Sequence, residues 1–217
     1  MSRQQAFRHI VVEGPIGVGK TSLARRLAAS LKAELLLERA EENPFLPRFY
    51  QDPRQAALPA QLFFLLQRVE ELRRLRQADL FRPCLVADYL FEKDRLFAEL
   101  NLDEHEFALY DKLYRQLAPE VPPPDLVIYL QAPVDVLQRR IAQRGIVYEQ
   151  RISAEYLARL SDAYVRFFYH YDSSPLLIVN TRDINPIGSE QDYRLLLERI
   201  RSIDSGRHYF NPAPWGV

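Results

Sequence analysis

Five short apolar runs punctuate the chain, and stretches of helical spacing fill the intervals. The runs are His9–Glu13, Glu34–Glu38, Cys84–Ala87, Asp125–Leu130 and Leu176–Val179. None alternates apolar and polar residues with a period of two. Continuous apolar runs of this length are the pattern of strands covered on both faces. Helical spacing marks Leu23–Leu31, Gln55–Gln77, Phe91–Leu117, Val134–Arg144, Ser153–His170 and Gln191–Ile203. In the second of these, Leu62, Leu65, Leu66 and Val69 share a face, and Pro59 is tolerable only near the start. Pro133 suits a first helical turn. The pattern predicts an α/β fold: a five-stranded parallel sheet with helices on both faces. Ligands of such sheets bind beyond the carboxyl ends of the strands. Three of those ends carry Glu13-Gly14, Glu38 and Asp88.

A length of 217 residues suits one domain spanning 1–217. Lys plus Arg and Asp plus Glu number 29 each, so no global field draws a nucleic acid polymer or a membrane surface. No apolar stretch approaches the ~20 residues of a membrane span, and the polar start does not read as a signal peptide. A cytoplasmic enzyme is the expectation. The single Cys84 excludes an internal disulfide and sits in an apolar run as a small hydrophobe. The tail, 206–217, shows no period and is left without an assigned order.

Gly14-Pro15-Ile16-Gly17-Val18-Gly19-Lys20-Thr21-Ser22 fits the phosphate-loop pattern, between a predicted strand and a predicted helix. Gly14, Gly17 and Gly19 let the backbone N–H groups of the Gly17–Ser22 stretch crowd round an anion at a positive helix end. Lys20 reaches the outer phosphates, and the Thr21 hydroxyl suits Mg²⁺. The motif by itself means a nucleoside triphosphate, leaving kinase, GTPase and motor open. A guanine reader of the N-K-x-D type is echoed only loosely by Asn180-Thr181-Arg182-Asp183, which lacks the Lys. After the fourth strand come Arg139, Arg140 and Arg144, with Arg140 and Arg144 on one helical face. Phosphoryl transfer needs positive charge over the migrating group, and Arg supplies it in a fixed fork. An Arg-bearing lid over about 144–152 would also exclude water.

With these motifs in place the chain resembles the deoxynucleoside kinases, the family of deoxycytidine, deoxyguanosine and deoxyadenosine kinases, and most of all their bacterial members. The resemblance runs roughly from Arg8 to Thr181. It rests on the phosphate loop, Glu38 followed by Glu42-Asn43-Pro44-Phe45-Leu46 and Phe49-Tyr50, Gln61 to Arg68, Asp88 to Asp94-Arg95, and Arg140 to Glu149-Gln150. It implies a phosphate-loop kinase fold, ATP and Mg²⁺ as partners in catalysis, a deoxynucleoside acceptor and a homodimer through the long Gln55 helix and the 91–117 region. Glu38 matches the carboxylate that takes the proton from the 5′-hydroxyl. Asp88 matches the acidic residue that serves Mg²⁺. Lys20, Arg140 and Arg144 match the groups that spread the phosphoryl charge. Tyr50 and Glu149 match the pair that grips the sugar 3′-hydroxyl. Gln61 matches the reader of the base edge, and Arg68 with Asp94 matches a polar pair beside the base. Phe63, Phe64, Phe91 and Phe97 are candidates to stack on it. Thymidine-preferring members have apolar groups in place of that pair, so its retention points to deoxyadenosine, deoxyguanosine or deoxycytidine, with the bacterial likeness favouring purines.

Two departures stand out. Most of the family has an acidic residue, Arg and Ser at the third strand end, whereas this chain has Asp88-Tyr89-Leu90. The missing grip on the 5′ end falls to Arg95 or to a lid Arg. In the lid, Ile146 stands where another Arg is frequent and Tyr148 where an acid is frequent. One Arg fewer costs the transition state roughly 1–3 kcal/mol of charged hydrogen bonding. Two alternatives remain at this level: a nucleoside-monophosphate kinase resembling thymidylate kinase, and a nucleotide-binding regulatory protein with little transfer activity.

Overall fold

The computed structural model describes residues 7–77, 84–118 and 122–211. Six strands form one parallel sheet: β1 (His9–Glu13), β2 (Glu34–Leu36), β3 (Leu85–Ala87), β4 (Leu126–Gln131), β5 (Leu176–Asn180) and β6 (Arg207–Phe210). Their order is β2-β3-β1-β4-β5-β6. β1 pairs with β3 on one side, Val11 against Ala87, and with β4 on the other, Val11 against Val127. The chain therefore leaves β1 toward one half of the sheet and later returns to the other half. The crevice at such a reversal is where ligands bind.

The interior strands lack alternation because both faces are covered. Ile10 and Val12 join a core with Leu23 and Leu27 of α1 (Lys20–Leu31), behind one face. Val11, between them, points to the opposite face, where Leu160, Tyr164 and Phe168 pack. Those three belong to a later helix, Ala154–His170.

The remaining helices up to that one are α2 (Leu46–Phe49), α3 (Pro53–Gln77), α4 (Lys93–Asn101), α5 (Glu104–Leu117), α6 (Val134–Arg144) and α7 (Ala154–His170), followed by α8 (Glu190–Arg201). α3 starts at Pro53, so Pro59 lies inside it. The expected single helix over 91–117 is two. Asp103 accepts hydrogen bonds from the N–H groups of His105 and Glu106, and Glu106 returns one from the Asp103 N–H. This reciprocal cap starts α5.

The sheet has six strands, not the expected five. β6 is an edge strand on which only His208 and Phe210 are half-buried, while Arg207 and Tyr209 are exposed. Four residues of weak alternation carry no apolar run, so the 206–217 stretch reads as shapeless. Pro83 and, in the tail, 212–217 with Trp215 lie outside the described residues. Among the described residues no helix is long and apolar enough to cross a membrane.

Candidate active site

β1 ends at Glu13, and the chain turns through Gly14 (φ 147°) and Gly17 (φ 83°) into α1. A Cβ on Gly14 would lie 2.4 Å from the Leu130 carbonyl oxygen, and one on Gly17 would lie 2.9 Å from that of Leu137. Both positions therefore require glycine by space as well as by dihedral. The Lys20 ammonium donates to the carbonyls of Gly14 (2.8 Å) and Pro15 (3.3 Å), folding back over the loop. Burial lowers its pKa, with the nearby Lys93 adding to the effect against Glu13, Glu38 and Asp88. The loop is braced from beneath by Glu13, which is fully buried. Its Oε1 accepts from the Gly14 N–H (2.8 Å) and the Tyr164 hydroxyl (2.9 Å), and its Oε2 from the Leu90 N–H (2.7 Å). One carboxylate thus ties the phosphate loop to α7 and to the segment after β3.

Asp88, just past β3, is buried and joins two elements. Its Oδ2 accepts from the Thr21 hydroxyl at 2.5 Å, and its Oδ1 from the Glu38 N–H at 2.7 Å. Glu38 lies beyond β2, which ends at Leu36, so this bond and not the sheet fixes its backbone. Thr21 and Asp88 together offer hard oxygen donors at the mouth of the loop. Mg²⁺ needs only one or two carboxylates when phosphates and waters complete its shell. The pair fits that requirement, and no group of three or more His, Cys, Asp or Glu assembles elsewhere among the described residues.

The Glu38 carboxylate accepts from the Lys93 ammonium at 2.8 Å and forms an ion pair with Arg68. Burial works against its charged form, yet Lys93, Arg68 and Lys20 outweigh burial and hold its pKa well below the usual carboxylate range. Arg68 also pairs with Asp94, which is fully buried. Burial pushes Asp94 up to about 6 despite that pairing. The Arg68 Nε and Asp94 Oδ2 are buried without a partner, a donor and an acceptor left in one place. Phe64 lies 4.9 Å under the Arg68 guanidinium.

Tyr50 stacks on Tyr148 with ring centroids 5.9 Å apart. Glu149 is buried and pairs with Arg144 at the end of α6. The Gln150 amide donates to the Ile141 carbonyl at 3.1 Å, fastening the 144–152 segment to α6. Arg140 donates from Nη1 to the Val18 carbonyl (3.1 Å) and the Thr181 hydroxyl (3.0 Å), and from Nη2 to the Thr181 carbonyl (3.0 Å). Its fork is spent on joining the phosphate loop to the end of β5. Arg139 pairs with Asp135 on an exposed face.

These parts surround one cavity of about 1280 Å³. That exceeds the roughly 300–1,000 Å³ of a single small-ligand pocket and leaves room for two substrates. Of the phosphate-loop, catalytic and substrate-binding residues assigned from the sequence, all line it except Gly14, Val18 and Asp94. Gly14 contributes through Lys20, Val18 through Arg140, and Asp94 through Arg68. Phe64 and Phe97 line the cavity; Phe63 and Phe91 do not, and Phe91 stacks on Tyr114 instead.

Arg95 is not the substitute for the missing arginine, because it pairs with Glu99 and Asp111 on the outside. Tyr89 is buried and does not itself line the cavity; its hydroxyl donates to Glu71 (2.8 Å), which does. Lys93 is the residue that sequence reasoning missed. Its signal was present: it precedes Leu96 and Phe97 by three and four positions, on an apolar helical stripe where a charge needs a partner. Also missed was the 182–188 loop at the far end of the cavity, held by Arg26 on the carbonyls of Pro186 (3.1 Å) and Ile187 (2.8 Å).

The model of the deoxynucleoside kinase family matches residues 10–203. The chain belongs to that family. It is 34% identical over 188 residues to the deoxyguanosine kinase of Bacillus subtilis, an alignment covering 86% of this chain and 89% of that one. It is 31% identical over 206 residues to the deoxyadenosine kinase of Lactobacillus acidophilus, covering 88% and 94%. The solved structure of deoxyadenosine kinase from M. mycoides with dCMP and dCDP has the same fold, with a TM-score of 0.78 at 24% identity, over 90% of this chain and all of that one. Membership makes this chain a nucleotide-binding phosphotransferase of the deoxynucleoside kinase type, with ATP as the family's phosphate donor.

Proposed function

We propose that the protein transfers the terminal phosphoryl group of ATP to the 5′-hydroxyl of a purine deoxynucleoside, with deoxycytidine as a weaker acceptor. The observation that carries this reading is a shared cavity: Lys20 of the phosphate loop and the Glu38 carboxylate open on the same space, with Gln61 and Arg68 beyond. The deoxynucleoside lies with its sugar 3′-hydroxyl between Tyr50 and Glu149. Its base edge meets Gln61, which presents a donor and an acceptor together, and the Arg68 guanidinium that Asp94 holds from behind. The retained Arg68–Asp94 pair and the purine-kinase relatives support the base preference.

Glu38 accepts a hydrogen bond from the 5′-hydroxyl. A carboxylate held so low is a poor proton acceptor at the start. It orients the oxygen first and takes the proton as the new O–P bond drains the oxygen's basicity, in keeping with a loose transition state. Lys20 and Arg144 face the charge on the phosphates, and Arg140 contributes by holding the loop that cradles them. Thr21 and Asp88 would hold Mg²⁺, which supplies charge neutralisation on the phosphates when bound. The exposed Leu66 of α3 and Leu109 of α5 support a homodimer through these helices.

Turnover with ATP and a panel of acceptors tests the reading. Deoxyadenosine or deoxyguanosine should yield the 5′-monophosphate, with deoxycytidine slower and thymidine inert. Turnover of monophosphates with silence on nucleosides selects the monophosphate kinase instead. Silence on every acceptor selects a regulatory nucleotide-binding protein.

A further inference from the structure

Glu38 is held by two cations where one would balance it, and the second comes from a different element. Arg68 reaches it from α3 and Lys93 from the first turn of α4. Lys93 is 3% exposed, and it turns its ammonium into the cavity. The rings of Tyr89 (6.0 Å) and Phe97 (5.9 Å) flank that ammonium. A buried ammonium is costly unless a partner meets it, and Glu38 Oε2 is the partner, at 2.8 Å. Arg68, by contrast, divides its fork between Glu38 and Asp94 and leaves Nε unused. A base seated against Gln61 competes with Glu38 for that fork, because Arg68 lines the cavity together with Gln61. Lys93 has no second carboxylate among the described ion pairs and stays with Glu38.

We propose that Lys93 is a positioning residue for phosphoryl transfer, anchoring the Glu38 carboxylate while Arg68 attends to the base. The proposal rests on Glu38 as the acceptor-side carboxylate. In the step it serves, the O5′–P bond forms and the bond from that phosphorus to the diphosphate oxygen breaks. The diphosphate leaves with the electron pair, and the 5′-hydroxyl proton passes to Glu38. Together Arg68, Lys93, Glu38 and Asp94 carry no net charge beforehand. Protonation of Glu38 leaves one positive charge uncompensated, beside the new phosphate ester. Lys93 thereby couples the proton's arrival to the charge of the product.

The test compares Lys93→Met, Lys93→Gln and Lys93→Arg with the wild-type enzyme in steady-state kinetics, with calorimetric ATP binding as the check on folding. Loss of the positioned ammonium charge predicts a kcat lower by roughly a hundredfold in the Met and Gln variants. KM for the deoxynucleoside should move by less than about threefold and ATP affinity should hold. Lys93→Arg should recover kcat to within about tenfold of wild type. Should the Met variant fail to fold, the Gln variant, which keeps a neutral donor, decides. A kcat within about threefold of wild type in a folded Met or Gln variant overturns the proposal, as does a loss confined to KM. Glu38→Gln is measured in parallel. If it is crippled while Lys93→Met is not, the Lys93 proposal alone fails. If both turn over normally, the reading of Glu38 fails with it.

Discussion

Glu38→Gln is expected to lower kcat by ~10³-fold, within the range for removing a general base, while ATP still binds. The substitution keeps the shape of the side chain and removes its capacity to take a proton. It also sets an amide N–H₂ against Lys93 or Arg68, both of which donate to the carboxylate in the native enzyme. Arg68 keeps Asp94, but Lys93 loses its charged partner, which costs roughly 3 kcal/mol of stability where the site is closed to water. Stability and turnover must accordingly be measured on the same preparation, with ATP binding as the check that the phosphate loop is intact. Near-normal turnover in a folded Glu38→Gln enzyme removes Glu38 from the reaction.

Lys20→Met is expected to weaken ATP binding and to lower kcat together, the latter by roughly 10²–10³-fold for one lost charged donor. Among the described residues the ammonium donates its hydrogen bonds to the carbonyls of Gly14 and Pro15. Its burial lowers its pKa, so the charge is held there against a desolvation cost. Removing it takes away that cost along with two hydrogen bonds to neutral acceptors and the attraction of Glu13, Glu38 and Asp88; these terms oppose, and folding stability should change by no more than about 1 kcal/mol. The variant should thus fold as well as wild type and fail in function. Calorimetric ATP titration separates it from Glu38→Gln: the Lys20 variant loses affinity and the Glu38 variant keeps it. Unchanged ATP affinity in Lys20→Met would place the triphosphate elsewhere.

The four interior strands were legible because residues such as Ile10, Val11 and Val12 each meet a covered face, leaving an uninterrupted apolar run, whereas β2, an edge strand with Glu34 and Leu35 exposed, was legible only from its leucines. β6 was not, because an edge strand with Arg207 and Tyr209 exposed needs no such run. The division between α4 and α5 was written in Asp103 and Glu106, a capping pair that the longer helical period masked. Glu38 and Asp88 were found as acids at strand ends, a rule of topology. Their connection through the Glu38 N–H belongs to tertiary packing, which no local pattern encodes. The same holds for Arg140, whose helical face was legible but whose three bonds to Val18 and Thr181 depend on where β5 ends. Lys93 was overlooked because a lysine among charged neighbours reads as solvated. Only the register of Leu96 and Phe97 shows that it faces inward.

The most direct test of the account is a crystal structure with deoxyadenosine or deoxyguanosine and ADP bound together. The account predicts the nucleoside 5′-oxygen within ~2.6–3.2 Å of the Glu38 carboxylate, on a line from the phosphate loop, with the base edge against Gln61 and Arg68. A nucleoside bound with Glu38 turned away from its 5′-oxygen, or seated only against the 182–188 loop, would contradict it.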